Sequence, residues 1–327
     1  MVGQLEFRAS EPVRAALAGL GRTEDVRFSP NNELLVIAGF ARDCLLVLSV
    51  RIEDAPSGPG VAVDDFMELT SGCINSVHGI DFIDDRTLVL ANRDGMVSIM
   101  ELPPGPPGGR SCQVDAVREV SGSHFGRIRT PGSVAVSKAG NGKITLLVCN
   151  NYVHTVTRHV LSAGPKYRVR KNRTLLKQGL KIPDGIALSH DQRWIAVSNH
   201  ARNCIHVFDA ATRLDRNSAP AAVLRNANFP HGLRFTNDGS HILVADAGAP
   251  LIHVYQRGGA DWQGDYGPSH SAIVLDDPVF QRGRYSPEEG GPKGIDIDRS
   301  GRILALTCEH LPLAFFELGK VCIPAVG

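Results

Sequence analysis

Short apolar runs separated by polar turns recur along most of the chain, and residues 182–209 show the pattern most clearly. A Pro-Asp-Gly entry leads to an apolar run at 186–188, a polar turn leads to a second run at 194–197, and a Ser-Asn-His turn leads to a third at 204–208. Runs this short, rich in Ile and Val and bounded by turn-forming residues, are typical of β-strands joined by hairpins. The pattern therefore predicts a unit of three antiparallel strands.

This unit recurs five more times along the chain. The other copies begin at Thr23, Val77, Thr130, Pro230 and Pro292. Asn-Gly at 141–142 and Asp-Gly at 238–239 fall between the first and second runs of their copies, where such dipeptides favour tight hairpins. A fourth strand-like run follows each of the first five copies, at 65–69, 116–120, 173–177, 221–224 and 272–275. The repeats predict six four-stranded antiparallel sheets.

The sixth copy has no fourth run of its own. Its third run ends near Leu318, whereas the alternating segment 4–8 at the other end of the chain belongs to no repeat. A strand donated from the N-terminus would close the ring and leave no free sheet edge. We therefore predict an all-β fold, a six-bladed β-propeller spanning residues 1–327 as one domain, with the N-terminal strand completing the last blade.

Charge and composition remove several classes of partner. The 327 residues carry a formal net charge of +1, which provides no broad field for nucleic acid or for a membrane surface. No apolar run approaches the roughly 20 residues of a membrane helix, and the N-terminus lacks the apolar core of a signal peptide. The seven cysteines lie mostly in apolar strands without a close CxxC pair, which is typical of reduced thiols. We expect a cytoplasmic protein that acts on a small molecule.

The entrance of each first strand carries the strongest functional signal. In a propeller the first strand of each blade lines the central channel. The six equivalent positions, each next to the usual glycine, hold Glu24, His78, Gly132, Asp184, His231 and Lys293. Five of the six are polar or ionisable, and a packed core does not favour such a set because buried charge is costly unless paired or bound to metal. We predict a site on the channel axis.

Two further groups of residues are predicted to surround that site. The second strands return to the same face and end near Asn92, Asn150, Asn199, Asp246 and Cys308, which with Lys293 would contact the substrate. Two loops, 121–130 and 278–291, precede inner strands and carry Arg127, Arg129, Arg282 and Arg284. Guanidinium groups match carboxylate and phosphate, so these arginines, Arg127 and Arg284 above all, indicate an anionic substrate.

Three of the repeats resemble a known blade motif. PDGIALSHDQRWIAVSN, PHGLRFTNDGSHILVADAG and PKGIDIDRSGRILAL are similar to the repeats of the gluconolactonase, regucalcin and strictosidine-synthase-like superfamily. The resemblance covers the whole chain and implies a six-bladed propeller. In the lactonase members it further implies an axial divalent metal held by Glu, Asn and Asp, which correspond by position to Glu24, Asp184 and His231. The chain departs from that pattern at the last two positions, and at Gly132, where lactonases have a polar Asn.

The residues themselves suggest which metal such a ring would hold. Glu24, His78, Asp184 and His231 form a set of two imidazoles and two carboxylates, which suits Zn, Mn or Fe better than Ca. Asp184, His231 or His78 would move a proton during catalysis. The alternative is a ring without metal, in which Lys293 neutralises Asp184 or Glu24 and the histidines hydrogen-bond across the channel.

These expectations lead to one leading function and two alternatives. The leading function is metal-dependent hydrolysis of a small, anionic carbonyl compound, with lactone opening as the reaction. An isomerase, lyase or cyclase would use the same site. A non-catalytic propeller that binds a small molecule or a protein is the second alternative, because fold alone does not decide function.

Overall fold

Six β-sheets follow one another along the chain in the computed structural model, which describes residues 1–56, 58–120, 127–138, 142–162, 164 and 166–323. Each sheet is one blade, and each inner strand contacts the inner strand of the next blade. The predicted all-β, six-bladed propeller is confirmed. No helix in the ranges just given is both long and apolar enough to span a membrane.

The elements follow the repeats of the sequence. Before the first repeat lie β1 (Phe7–Ala9) and α1 (Glu11–Ala18). Blade 1 contains β2 (Val26–Phe28), β3 (Leu34–Gly39), β4 (Cys44–Ala55) and β5 (Gly58–Thr70). Blade 2 contains β6 (Val77–Asp84), β7 (Thr87–Asn92), β8 (Val97–Glu101) and, after β9 (Arg110–Gln113), β10 (Arg118–Val120). Blade 3 contains β11 (Pro131–Lys138), β12 (Ile144–Asn150), β13 (Thr155–Leu161) and β14 (Val169–Leu176).

The second half of the ring has the same organisation. Blade 4 contains β15 (Pro183–Leu188), β16 (Trp194–Asn199), β17 (Cys204–Asp209) and β18 (Ala222–Arg225). Blade 5 contains β19 (Pro230–Phe235), β20 (His241–Asp246), β21 (Leu251–Gln256) and, after β22 (Gly264–Tyr266), β23 (His270–Ile273). After α2 (Asp277–Gly283), blade 6 contains β24 (Pro292–Ile297), β25 (Ile303–Cys308) and β26 (Leu311–Glu317), followed by α3 (Leu318–Cys322). Short 3-10 turns cover Phe40–Arg42 and His200–Arg202, and β9 and β22 pair in parallel with β5 and β18.

The N-terminal segment closes the ring in a different way from the prediction. Leu5 forms one antiparallel bridge with Phe315 of β26, and the Leu5 amide donates to the Phe315 carbonyl at 2.8 Å. The next residues, β1, pair in parallel with Val61–Val63 of blade 1. The segment 4–8 is therefore divided between the last and first blades, because the chain crosses the gap between them. Phe7 packs edge-on against Phe315, with ring centroids 5.4 Å apart, and links the two blades.

Hydrophobic packing between neighbouring blades holds the ring together. Each core cluster draws on two adjacent blades, such as Leu224 with Leu233 and Trp262 across blades 4 and 5. These side chains are buried, and apolar burial at roughly 25 cal/mol per Å² is the main stabilising term in such a core.

Glycines at the inner strands allow the blades to approach closely. A Cβ added to Gly185 would lie 2.1 Å from the carbonyl oxygen of His231, and one added to Gly232 would lie 2.3 Å from that of Lys293. The inner pairs are irregular at the same points, with shifts between Pro183 and Ile186 and at equivalent positions in blades 2, 3, 5 and 6. The glycine that follows the ring residue in blades 2, 4, 5 and 6 is therefore a packing requirement, and it sets where those ring residues stand.

Charged side chains fill the channel below its entrance. Arg234 donates to Asp296 at 2.7 Å, and Arg27 donates to the same Asp296 oxygen at 3.2 Å. Asp25 accepts the Ile80 amide at 2.9 Å, so this layer also joins one inner strand to the next. Burial raises the pKa of Asp25, although Arg234 and Arg27 oppose that shift. The layer forms a floor beneath the site described next.

Candidate functional site

The predicted ring residues come together at the mouth of the central channel. Glu24, His78, Asp184, His231 and Lys293 are each at most 7% exposed. All but Glu24 stand next to the glycine of their inner strand, and one residue from each of five blades converges on the axis. Blade 3 contributes no side chain to the ring, because its equivalent residue is Gly132.

The two oxygens of Glu24 have different surroundings. Oε1 accepts hydrogen bonds from Lys293 Nζ at 3.1 Å and from Arg22 Nε at 2.5 Å. Oε2 is buried with no hydrogen-bond partner among the described residues, and it lies 3.3 Å from His231 Nε2 and 3.4 Å from His78 Nε2. Burial opposes ionisation of Glu24, but the charge of Lys293 holds the pKa of the carboxyl well below its usual range. Glu24 is therefore an anion whose second oxygen faces the two imidazoles and accepts no hydrogen bond among the described residues.

The tautomer of His78 is fixed by its neighbours. Nδ1 lies 2.7 Å from the Gly132 carbonyl, which can only accept, so Nδ1 carries the proton and Nε2 presents a lone pair. In this structure Arg93 donates to that lone pair. Burial and the nearby charge of Arg93 lower the pKa of His78 to about 3, so the ring is neutral near pH 7.

Asp184 and His231 form the other half of the ring. His231 Nε2 lies 3.3 Å from Asp184 Oδ2, and Asp184 Oδ1 accepts from Asn151 Nδ2 at 2.6 Å. Burial opposes protonation of His231, but the charge of Asp184 and the contact with Glu24 raise its pKa. Burial likewise opposes ionisation of Asp184, yet the charge of His231 lowers its pKa. The pair therefore favours a proton on His231 and a charge on Asp184.

The residues at the ends of the second strands do not contact the cavity, which corrects the prediction. Asn92, Asn150, Asn199 and Asp246 are at most 1% exposed. Each accepts the backbone amide of the residue two positions before the inner strand, namely Asn75, Arg129, Lys181 and Asn228, at 2.6 to 3.1 Å. Each also has a polar partner on the third strand, namely Ser98, Thr157, His206 and His253, at 2.7 to 3.4 Å. These side chains hold the loop of their own blade. Cys308 is buried in the core.

The next residue along the chain is the one that reaches the site. Arg93, Asn151, His200 and Glu309 each follow the last residue of a second strand. Asn151 occupies the space that a side chain at Gly132 would need, because a Cβ there would lie 1.9 Å from Asn151 Oδ1. His200 Nδ1 lies 3.3 Å from the Pro230 carbonyl and 3.7 Å from Asp184 Oδ2. Side chains alternate in direction along a strand. The last residue of each second strand therefore points into its blade, and the residue after it points toward the channel axis.

A cavity of about 190 Å³ opens above the ring. Its lining includes His78, Asp184, His231 and Lys293, together with Arg22, Arg93, Tyr152, Ile182, His200, Glu288 and Glu289. Arg127 and Arg284, predicted to bind substrate, do not line it. Arg284 instead lies over the Phe280 ring at 5.3 Å, and Arg127, Arg129 and Arg282 are exposed on the surface. Residues 121–126 of the first predicted rim loop lie outside the described residues.

Three of the ring residues could share one metal ion. The ligand atoms of Glu24, His78 and His231 lie within 4.8 Å of one another. Two imidazoles and a carboxylate are ligands typical of Zn, Mn or Fe. Asp184 lies beside these three residues and contacts His231. Lys293 contacts the other oxygen of Glu24, Oε1. The remaining acids, Glu289 and Glu309, lie 2.6 and 3.6 Å from Lys293.

Comparison with known proteins identifies the architecture only. No protein-family model matches the chain, and no curated protein sequence matches it. Among solved structures, luciferin-regenerating enzyme aligns with a TM-score of 0.58 and 12% identity over 92% of this chain and 94% of that one. A functionally unknown protein from Desulfotomaculum acetoxidans aligns with a TM-score of 0.55 and 15% identity over 91% of this chain and 83% of that one. Identities this low show the fold alone.

Proposed function

We propose that the chain is a divergent member of the gluconolactonase, regucalcin and strictosidine-synthase-like superfamily that uses a divalent transition metal to hydrolyse a small anionic lactone. The observation that carries this proposal is Glu24 Oε2, a buried anionic oxygen without a hydrogen-bond partner in the described chain, beside the Nε2 atoms of His78 and His231. A buried polar atom of this kind requires an explanation, and a cation is one that the neighbouring ligand types fit.

The cations already present leave room for a metal. Lys293 and Arg22 both use Oε1 of Glu24 and not Oε2. Arg93 does compete, because it donates to the Nε2 lone pair that His78 would give to the metal. The Arg93 side chain is 21% exposed, its Nε has no partner among the described residues, and Asp184 Oδ1 lies 3.7 Å from its Nη2, so a single long ion pair besides the His78 contact resists its displacement. Once displaced from His78, its guanidinium is free to bind an anionic substrate.

The balance of charge around the cavity also favours a divalent cation. Five carboxylates face three permanently charged side chains, which leaves a net charge of −2 once His231 gives up its proton to act as a ligand. The acids are Glu24, Asp184, Glu288, Glu289 and Glu309, and the bases are Arg22, Arg93 and Lys293. A divalent ion neutralises that excess, and an anionic substrate can then approach without net repulsion.

The chain's own residues supply proton transfer and positioning. A bound divalent ion would supply Lewis acidity toward a carbonyl oxygen. His200 lines the cavity, and because Nδ1 donates toward the Pro230 carbonyl, Nε2 is the atom that can take a proton from water. Asp184 Oδ2, 3.7 Å from His200 Nδ1, stabilises the imidazolium that forms. His78, with a pKa of about 3, is better suited to a ligand role than to proton transfer near neutral pH.

Lactone hydrolysis by protein reconstituted with Zn²⁺ or Mn²⁺ tests the proposal. We expect turnover of small lactones that carry a carboxylate or phosphate, loss of turnover in chelator, and recovery when metal is restored. His200→Asn should lose turnover and keep the metal. Arg93→Gln should bind the metal more tightly, since a competitor is removed, and should raise KM for the anionic lactone. Full activity in chelator, or unchanged metal affinity and KM in Arg93→Gln, would contradict this function.

One observation favours a second candidate. The raised pKa of His231, which lies between Glu24 and Asp184, suits an acid that protonates a substrate without any metal. An isomerase or lyase would use such a group. Activity that survives chelator and is lost in His231→Gln would support this second candidate over the hydrolase.

A further inference from the structure

A second cavity lies between blades 3 and 4, far from the central site. It has a volume of about 280 Å³ and includes Ser137 near the end of β11 and Gln192 in the turn between β15 and β16. The central site lies at the opposite ends of these same strands. Five residues separate Gly132 from Ser137, which corresponds to about 17 Å along a strand. The two cavities therefore face opposite ends of the propeller.

This blade 3–blade 4 pocket has an apolar floor and a cationic wall. Leu147, Leu175, Ile195 and Leu214 form the floor, and all four are buried. Arg158, Arg173 and Arg213 form the wall. No acidic side chain lines the pocket within the described part of the chain, and none of the three arginine side chains has an ion pair or hydrogen bond there.

Two of these arginines stand directly opposite each other. Arg158 of β13 and Arg173 of β14 are cross-strand partners, and like charges in that arrangement destabilise a sheet. Two other exposed arginines on strands of this protein do have acidic partners, Arg51 in Asp64 and Arg225 in Asp265. The chain contains 34 acidic residues against 35 Lys and Arg, so the missing partner does not reflect a general shortage of acids.

Protection of a sheet edge explains only part of this arrangement. β14 is the outermost strand of blade 3, and positive charge on an edge strand prevents pairing with another chain. Arg158 lies on β13, which is paired on both sides, so edge protection does not account for it. An anion between the two guanidinium groups would remove their repulsion, because each can donate two parallel hydrogen bonds to a carboxylate or phosphate.

We propose that the blade 3–blade 4 pocket binds a small amphiphilic anion. Its carboxylate or phosphate would lie between Arg158 and Arg173, and its apolar part would lie against the apolar floor. The volume equals that of about nine liquid waters at roughly 30 Å³ each, which suits a single ring or a short chain. The pocket shares no residue with the central site, so this inference does not depend on the proposed function.

Calorimetric titration at constant ionic strength tests the pocket with phenyl phosphate, phenylacetate and benzyl alcohol as probes. We expect one site for at least one anionic probe and at least tenfold weaker binding of benzyl alcohol, which lacks the charge. The tighter of the two anionic probes identifies the head group. Arg158→Gln and Arg173→Gln should each weaken binding of that probe at least tenfold. Failure of both anionic probes to bind the parent protein would overturn the proposal.

Two controls separate this pocket from other causes of binding. Arg170→Gln removes the same charge from β14 at a residue that does not line the pocket, and it should change affinity by less than twofold. His78→Gln alters the central site and should leave probe binding unchanged. In the absence of anion, Arg173→Gln should unfold at a temperature no lower than the parent, because it relieves a repulsion. Equal loss of affinity in Arg170→Gln, or full affinity in Arg158→Gln, would refute the site.

Discussion

Asn150→Ala should lower the free energy of unfolding by about 3 kcal/mol. Asn150 is buried, and its Oδ1 accepts the Arg129 amide at 2.7 Å. Its Nδ2 donates to the Val148 carbonyl and to Thr157 Oγ1, each at 3.1 Å. Three hydrogen bonds at about 1 kcal/mol each give the expected loss of stability. The loss should not be smaller, because the substitution leaves the Arg129 amide without its acceptor. The effect follows from a structural role, not from substrate contact.

Urea denaturation followed by tryptophan fluorescence measures this difference. Asn217→Ala is the control, because Asn217 is exposed and its side chain makes no hydrogen bond among the described residues. A surface substitution of that kind should change stability by about 0.5 kcal/mol or less. If Asn150→Ala unfolded at the same urea concentration as Asn217→Ala, the assignment of the strand-end amides to the blade would be wrong.

Two further predictions concern closure of the ring and its response to pH. Phe7→Ala should lower the free energy of unfolding by about 2 kcal/mol. This is roughly half the loss for a fully buried Phe, because Phe7 is half-buried against Phe315. Glu6→Ala, a change at an exposed neighbour, should cost far less in the same urea assay. Burial lowers the pKa of His159 from 6.5 to about 4, so the unfolded chain binds a proton before the native one does. The native state is thus destabilised as pH falls below 6.5. Between pH 7 and pH 5, the free energy of unfolding of His159→Gln should fall by about 2 kcal/mol less than that of the parent. Equal losses in the two proteins would contradict a buried, neutral His159.

The sequence was sufficient to predict the fold and the inner ring. Repeats with a short period align the first strands, and one position per repeat placed Glu24, His78, Asp184, His231 and Lys293 on the axis. The departure at the N-terminus was not visible, because the alternation of residues 4–8 fits a strand of either blade. The structure divides that segment between Phe315 and Val61–Val63.

The second layer of the site was predicted one residue too early. Asn150 and Asn151 are both polar, and the sequence alone does not show which one faces the channel. A signal was present nonetheless, since Ser98, Thr157, His206 and His253 repeat at equivalent third-strand positions and are the partners of the strand-end residues. Arg22 had no such signal, because it lies in a loop outside the repeat and reaches Glu24 through the folded path of the chain.

The rim arginines show a different limit of sequence reasoning. Arg127 and Arg284 were assigned to the substrate from the side of the propeller on which their loops lie. The direction of a long side chain depends on local packing, however, and Arg284 lies against Phe280. Arg93, at a strand end, lines the cavity instead, and it is the arginine that we propose for the substrate.

Metal content per chain tests the central claim most directly. Protein purified without chelator and without a polyhistidine tag would be equilibrated with Zn²⁺ or Mn²⁺, dialysed, and analysed by elemental mass spectrometry. We expect one divalent ion per chain in the parent and in His190→Gln, which alters an exposed histidine. His78→Gln and His231→Gln should each retain well under one ion while remaining folded. A parent protein that binds no ion, or one full ion retained in both variants, would contradict a metal site formed by Glu24, His78 and His231.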